Sequence, residues 1–292
     1  MRRTPMKATV FLGGGRITTA LIAGLRLARY PTPIVVHDRH PERLRRLRRE
    51  YSVFIDPDLH HAVAAARLLI IAVRPDSVPE LLQRIGALDR PLTAVSLAAG
   101  IPLANLSRHL GPLVHWSRAM PSPAARFGRG LTATNFPRRS PKQVRARVNA
   151  FFGQVGQVIE LPESRYDAFT VTYSCSHGYH ALATLARAAE SVGLDRKTAL
   201  VAAAHALGDG ILSWREGNIS LPDLLREAAT PGGIAATTMS AMDDAGYQRA
   251  VERGVRSGLA RTRRNARIAS SDLIPEGAPD ESEEPYHVIQ RK

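Results

Sequence analysis

The chain is poor in cysteine, in aromatic residues, in acidic charge and in long apolar runs. Its single cysteine, Cys175, excludes an intrachain disulfide framework and a cysteine-rich metal site, and no metal is expected. Aromatic residues make up 5% of the 292 positions, so the interleaved aromatic and basic platform that single-stranded nucleic acid needs is missing. No uninterrupted apolar run is long enough to cross a bilayer. The basic start Met1-Arg2-Arg3-Thr4-Pro5-Met6-Lys7 leads to Val10 to Leu12, which is too short for a signal-peptide core, and glycines follow at once. The expected location is the cytoplasm. Acidic residues number 26 against 40 Lys and Arg, a formal net charge of +14. The positive charge is nearly all arginine and is scattered over the whole chain without a DNA- or RNA-binding motif. We assign it to solvated helix faces and to attraction for anionic small molecules. Neither nucleic acid nor a membrane is an expected partner.

What is present fits a globular protein. The chain is 44% hydrophobic and 23% charged, and its length allows one to three domains. Near the start, Thr9-Val10-Phe11-Leu12-Gly13-Gly14-Gly15-Arg16-Ile17-Thr18-Thr19-Ala20-Leu21 joins an apolar run to three glycines and a helix-like segment. A first β-strand enters a first helix in this way in a dinucleotide-binding fold. Gly13 allows the tight turn and Gly15 lets the backbone approach a pyrophosphate. The free N–H groups at the helix start, around Arg16 and Ile17, receive the phosphate charge. Thr18 stands at the third position of the fingerprint, where Gly or Ala is usual.

The apolar spacing predicts strands over 7–12, 33–37, 52–55, 68–73, 93–97 and 114–118. Helices are predicted between them over 16–28, 41–51, 59–65, 78–85 and 103–110. Such alternation means an α/β fold, a doubly wound and mostly parallel Rossmann sheet with helices on both faces. Its crossovers should be right-handed. Ligands then sit beyond the carboxyl ends of the strands. The glycine turn, Asp38-Arg39, Ala72-Val73-Arg74-Pro75, Ala98-Ala99-Gly100 and Met120-Pro121 all fall at those ends. From Pro162 onward strand signals vanish, and helices are predicted over 166–192, 196–216, 220–229, 233–245 and 248–268. Their apolar faces favour a homodimer. The expected domains are therefore a dinucleotide-binding unit over 1–162, a helical unit over 163–269 and an acidic tail over 270–292.

With these pieces placed, residues 7–268 resemble the pyrroline-5-carboxylate reductase family. The ordered motifs that carry the resemblance are Gly13-Gly14-Gly15 with Ala20-Leu21, Ala72-Val73-Arg74-Pro75, Ser96-Leu97-Ala98-Ala99-Gly100-Ile101, Arg118-Ala119-Met120-Pro121-Ser122-Pro123, Asp167-Ala168-Phe169-Thr170 and Pro231-Gly232-Gly233. The resemblance implies an N-terminal Rossmann domain, a helical C-terminal dimerisation domain and NAD(P)H-dependent reduction of a cyclic imine acid, with the last step of proline synthesis as the usual role. The chain departs from the family at three places. Tyr173 to Tyr179 stands where Ser-Gly-Ser-Gly-Pro-Ala-Tyr is usual, Ile234-Ala235 where two threonines are usual, and Ser122 where Asn is usual.

Hydride transfer asks the protein chiefly to place the reacting carbon. The imine nitrogen must be protonated or hydrogen-bonded. With Ala235 unable to donate, the candidate donors are Tyr173, His177 and Thr238; the reference pKa of histidine suits the task. The substrate carboxylate needs an anion site. The backbone N–H groups of Gly233, Ile234 and Ala235, after Pro231-Gly232, supply one at a helix start. Met120, Pro121 and Ser122 are the other expected substrate contacts. Gly13, Gly15, Arg16, Ile17, Ala72, Val73, Pro75, Ala99 and Gly100 are the expected cofactor contacts, with Asp38 and Arg39. Asp38 by type hydrogen-bonds the ribose of NAD, and Arg39 pairs with the 2′-phosphate of NADP. His40 and Arg43 add positive charge nearby, so NADP(H) is the preferred expectation, with NAD(H) left open. The later arginines 45, 46, 48 and 49 are assigned to a solvated helix face.

Overall fold

The computed structural model describes residues 7–271. The first half alternates strand and helix: β1 (Ala8–Leu12), α1 (Arg16–Leu27), β2 (Ile34–His37), α2 (Pro41–Tyr51), β3 (Phe54–Ile55), α3 (Leu59–Ala64), β4 (Ala66–Ile71), α4 (Val78–Ile85), β5 (Leu92–Ser96), α5 (Leu103–Leu106) and β6 (Val114–Pro121). Then come β7 (Gly130–Asn135), α6 (Lys142–Gly153) and β8 (Gly156–Glu160). The remainder is helical: α7 (Glu163–Thr172), α8 (Cys175–Ser191), α9 (Arg196–Glu216), α10 (Leu221–Ala228), α11 (Ile234–Asp244) and α12 (Tyr247–Ser271). Residues 270 and 271, expected to open the acidic tail, are the last of α12; the rest of that tail, 272–292, lies outside the described residues. Among the described residues no helix is long and apolar enough to cross a membrane.

The eight strands form one sheet in the order β3-β2-β1-β4-β5-β6-β7-β8. The first six are mutually parallel, whereas β7 runs antiparallel to β6 and pairs in parallel with β8. The strand order reverses between β1 and β4, and that switch point opens a crevice at their carboxyl ends. The central strands are mostly apolar because both faces are covered. Ala8, Val10, Leu12, Leu69 and Ile71 pack with α3, α4 and α5. Phe11, Ile34, Val36, Leu68 and Ile70 pack with α1, α2 and α6.

Three departures from the expected elements have local causes. Ala119 to Pro121 extend β6 instead of leaving it. The chain then turns through a short 3-10 segment, Pro123–Phe127, and Gly128 in the left-handed region at φ 69°. A connection that short can join only antiparallel neighbours, which makes β7. The Thr- and Gly-rich β7 has no apolar run to mark it in the sequence. The single helix expected over 166–192 is broken between α7 and α8. Ser174 is extended at φ −63°, ψ 116°, after a Thr170-Val171-Thr172 run whose branched side chains weaken helix. The helix expected over 103–110 stops at Leu106, and Leu110 turns left-handed at φ 67°.

One buried charge joins the sheet to the helices. Arg118 of β6 is 1% exposed. It donates from Nη1 to Glu163 Oε1 at 2.8 Å and from Nη2 to Asp167 Oδ1 at 2.7 Å, both on α7. Its guanidinium lies 4.2 Å over the Tyr166 ring. Burial pushes the Tyr166 phenol well above its usual value, so that ring is neutral beneath the cation. At the other end of the helical segment α12 returns to the sheet. Asn265 Nδ2 donates to the Ala99 carbonyl at 3.2 Å, and Asn105 Nδ2 donates to the Ala266 carbonyl at 3.3 Å.

The two sides of the Arg118 cluster are not equivalent. Glu163 and Asp167 keep side-chain exposures of 42% and 29%, whereas Arg118 has 1%. Stranding the arginine should therefore cost more than stranding the acids. Glu163→Gln with Asp167→Asn is expected to lower unfolding free energy by about 3–5 kcal/mol, and Arg118→Met by clearly less. Urea unfolding of the two proteins checks the order, and a larger loss for Arg118→Met would contradict it.

Candidate functional site

The glycine turn is held in place by its neighbours. Gly13 has φ 108°, and a Cβ there would lie 2.6 Å from the Ala72 carbonyl oxygen; no other residue type fits that approach. Thr18, the departure at the third fingerprint position, is fully buried and donates its hydroxyl to the Gly13 carbonyl at 2.5 Å. It locks the turn to the first turn of α1. Gly15 is the N-cap of α1 with no side-chain cap, and a Cβ there would meet nothing within 4 Å. The first N–H groups of α1 thus open onto free space, the arrangement that receives a phosphate.

That space is a cavity of about 590 Å3 between the β1–α1 turn, the β2 end and the segment after β4. Gly13, Gly15, Arg16, Asp38, Arg39, Ala72 and Val73 line it. So do six arginines in all, at 16, 39, 43, 46, 74 and 84, against only two acids, Asp38 and Glu80. A concave site with this charge focuses positive potential on an anion, which suits a dinucleotide with several phosphates. Arg46, assigned to a solvated helix face, instead lines the cavity. Its spacing of three from Arg43 puts both on one side of α2, and that signal was available in the sequence. Ser77, Glu80, Leu81 and Arg84, at helical spacing on and just before α4, also line it and were not expected. Ile17 and Pro75 do not line it. Nor do Ala99 and Gly100, which instead receive α12: a Cβ on Gly100 would lie 2.6 Å from the Thr262 carbonyl oxygen.

The expected substrate and catalytic residues are spread out. Met120 and Pro121 are paired in the sheet with Ala133 and Thr132. Ser122 is 3% exposed, and its hydroxyl has no hydrogen-bond partner in the structure. It lines a second, wider hollow of about 1670 Å3 together with Tyr173 and Cys175. The Tyr173 hydroxyl accepts the Leu131 N–H at 2.9 Å, which leaves its own proton free to donate. Burial pushes the Cys175 thiol up, away from the reactive thiolate. His177 is exposed and lines neither cavity. Thr238 is exposed, with its hydroxyl donated to the Ile234 carbonyl at 2.9 Å. Gly232, Gly233, Ile234 and Ala235 form the start of α11, where Ile234 is 90% exposed. They line neither cavity within this chain. No group of three or more metal-ligating side chains occurs among the described residues.

Comparison with known proteins adds to this geometry. Residues 9–100 match a family described as NADP oxidoreductase coenzyme F420-dependent. Residues 163–265 match the pyrroline-5-carboxylate reductase dimerisation family. A pyrroline-5-carboxylate reductase of Mycobacterium tuberculosis (strain CDC 1551 / Oshkosh) is 29% identical over 284 residues, covering 88% of this chain and 96% of its own. Among solved structures, 1-pyrroline-5-carboxylate reductase from Streptococcus pyogenes superposes with a TM-score of 0.81 at 19% identity, covering 89% of this chain and 99% of its own. Pyrroline carboxylate reductase of Plasmodium falciparum with NADP bound gives 0.79 at 17% identity, covering 90% and 99%. These two share the fold.

The two glycines separate structure from binding. Gly13→Ala is expected to lower stability by more than about 1 kcal/mol, because its φ and its contact with Ala72 both forbid a side chain. Gly15→Ala should cost less than about 1 kcal/mol while weakening dinucleotide binding, since its methyl group enters the open space. Denaturant midpoints and a fluorescence titration with NADPH check the pair. Equal stability losses, or unchanged binding in Gly15→Ala, would contradict the assignment.

Proposed function

We propose that the chain is a divergent member of the pyrroline-5-carboxylate reductase family and that it reduces a cyclic imine acid, 1-pyrroline-5-carboxylate to proline, with NADPH as reductant. The observation behind this is the coupling of an arginine-lined cavity at the β1/β4 switch point to a helical segment of the family's dimerisation type. The relative with NADP bound supports the cofactor. The α1 start and its glycine turn would hold the pyrophosphate, and the surrounding arginines would hold the remaining charge. When bound, the reduced nicotinamide supplies a hydride to the imine carbon.

The protein's remaining tasks are to bind the carboxylate and to protonate the nitrogen. We assign the carboxylate to the backbone N–H groups of Ile234 and Ala235, which start an 11-residue helix without a side-chain cap; the Gly233 N–H, expected to join them, is already donated to the Thr230 carbonyl at 2.9 Å. Of the three candidate donors we favour Tyr173. Its proton is uncommitted and it lines one hollow with Ser122, whereas the Thr238 proton is already given to Ile234. The start of α11 stands apart from the cofactor cavity in its own chain. Helix α9 also leaves Leu200, Val201, Ile211, Leu212 and Trp214 exposed. A homodimer answers both points, by covering apolar surface and by bringing α11 of one copy to the cavity of another.

A second activity is favoured by one feature. Ile234 and Ala235 place no hydroxyl at the helix start, so a different imine or a keto acid is the alternative substrate. The test is NADPH oxidation with 1-pyrroline-5-carboxylate beside a panel of cyclic imines and keto acids. Saturable turnover with proline as product is expected. Turnover confined to another panel member moves the substrate, and NADPH binding without any turnover would leave a non-catalytic nucleotide-binding protein.

A further inference from the structure

We propose that Arg43 and Arg46 of α2, not the Asp38–Arg39 pair, select a ribose 2′-phosphate, and that Asp38 is a positioning residue. This rests on the dinucleotide site above but not on the imine chemistry.

The carboxylate of Asp38 has three of its four acceptor positions taken by the protein. Its Oδ2 accepts the Gly14 N–H at 2.7 Å and lies 3.4 Å from Arg43 Nη1. Its Oδ1 accepts the His40 N–H at 2.8 Å. The side chain is 5% exposed. An acid that reads both ribose hydroxyls needs an acceptor position for each, and Asp38 keeps one, on Oδ1. Its carboxylate instead ties the end of β2 to the glycine turn and to the start of α2. Its negative charge, which would otherwise repel a phosphate, faces two amide N–H groups and a guanidinium.

That arrangement leaves the arginines of α2 to meet the ligand. Arg43 is half exposed, is steadied by Asp38 and lines the cavity. Arg46, one turn further on, lines the same cavity and donates to Thr19 Oγ1 of α1 at 3.5 Å. Two guanidiniums fixed from different elements match a phosphomonoester dianion, which takes several charge-assisted hydrogen bonds at once. Arg39, by contrast, is exposed, and its Nε donates to its neighbour His40 at 3.4 Å. Among the described residues no hydrogen bond or ion pair from another element fixes its position. A ribose with a free 2′-hydroxyl gains nothing from the pair.

The test uses the full-length protein and fluorescence titrations with NADPH and with NADH, no imine being present, so imine turnover does not enter the result. Arg43→Gln with Arg46→Gln is expected to weaken NADPH binding by about ten- to a hundred-fold, the size of one or two charge-assisted bonds. NADH binding should change by less than about two-fold. Asp38→Asn should weaken both cofactors because the glycine turn loses its tie, with a smaller change in their ratio than the double variant gives, and Arg39→Ala should leave the ratio of the two affinities in place. The proposal is overturned if the double variant weakens both cofactors equally or neither. It is also overturned if Arg39→Ala shifts the ratio as far as the double variant, or if Asp38→Asn does so while leaving NADH binding unchanged. Arg43, Arg46 and Arg39 are on the surface, so these variants remain informative if Asp38→Asn fails to fold.

Discussion

A guanidinium buried in a sheet strand has to be neutralised where it stands. Arg118 sits in β6 with 1% exposure, and an ion removed from water to that degree costs several kcal/mol unless charged partners surround it. Glu163 and Asp167, one turn apart on α7, supply them. Glu163 also accepts the Leu103 N–H at 3.1 Å, which draws α5 into the same cluster. This requirement fixes α7 against the sheet. With α7 fixed and α12 tied back at Ala99, both ends of the helical segment are anchored while its middle extends into solvent with its apolar side chains uncovered. The segment is built to be completed by another surface.

The arginine-lined cavity follows a similar logic at smaller scale. Asp38, Gly14 and Thr18 use their polar atoms on the protein itself, and the result is a turn that leaves the α1 amides unobstructed. Preorganisation of this kind spares a bound phosphate the cost of ordering its own site. Charge enters from three separate elements, α1, α2 and the segment around α4, so no single arginine has to be buried to make the site electropositive.

Much of this was legible in the sequence. The strands β1, β2, β4 and β5 were readable because burial on both faces leaves continuous apolar runs, and Gly13 because its conformation admits no side chain. The strands β7 and β8 were not, since Gly130-Leu131-Thr132-Ala133-Thr134-Asn135 offers no such run and its pairing is set by the turn at Gly128. The split of α7 from α8 depends on the Ser174 backbone and on Tyr173 reaching Leu131, 42 residues away, which no local pattern encodes. At the site, the residues of the β1–α1 turn and the β2 and β4 ends were identified by motif. The cavity role of Arg46 was hidden by its membership in an arginine run that reads as a solvated face, and Ala99-Gly100 proved to receive a helix. The start of α11 was legible as a helix start after Pro231-Gly232, but its separation from the cavity is a tertiary fact.

The chemistry assigned here needs a hydride delivered to the imine carbon and a proton to its nitrogen, with the protein supplying position and charge. The most direct measurement is the fate of the label when NADPH carrying deuterium at the transferable position of nicotinamide C4 is turned over with 1-pyrroline-5-carboxylate. The account predicts proline with one deuterium at C5. Deuterium absent from that carbon, with NADPH shown to bind, would contradict it.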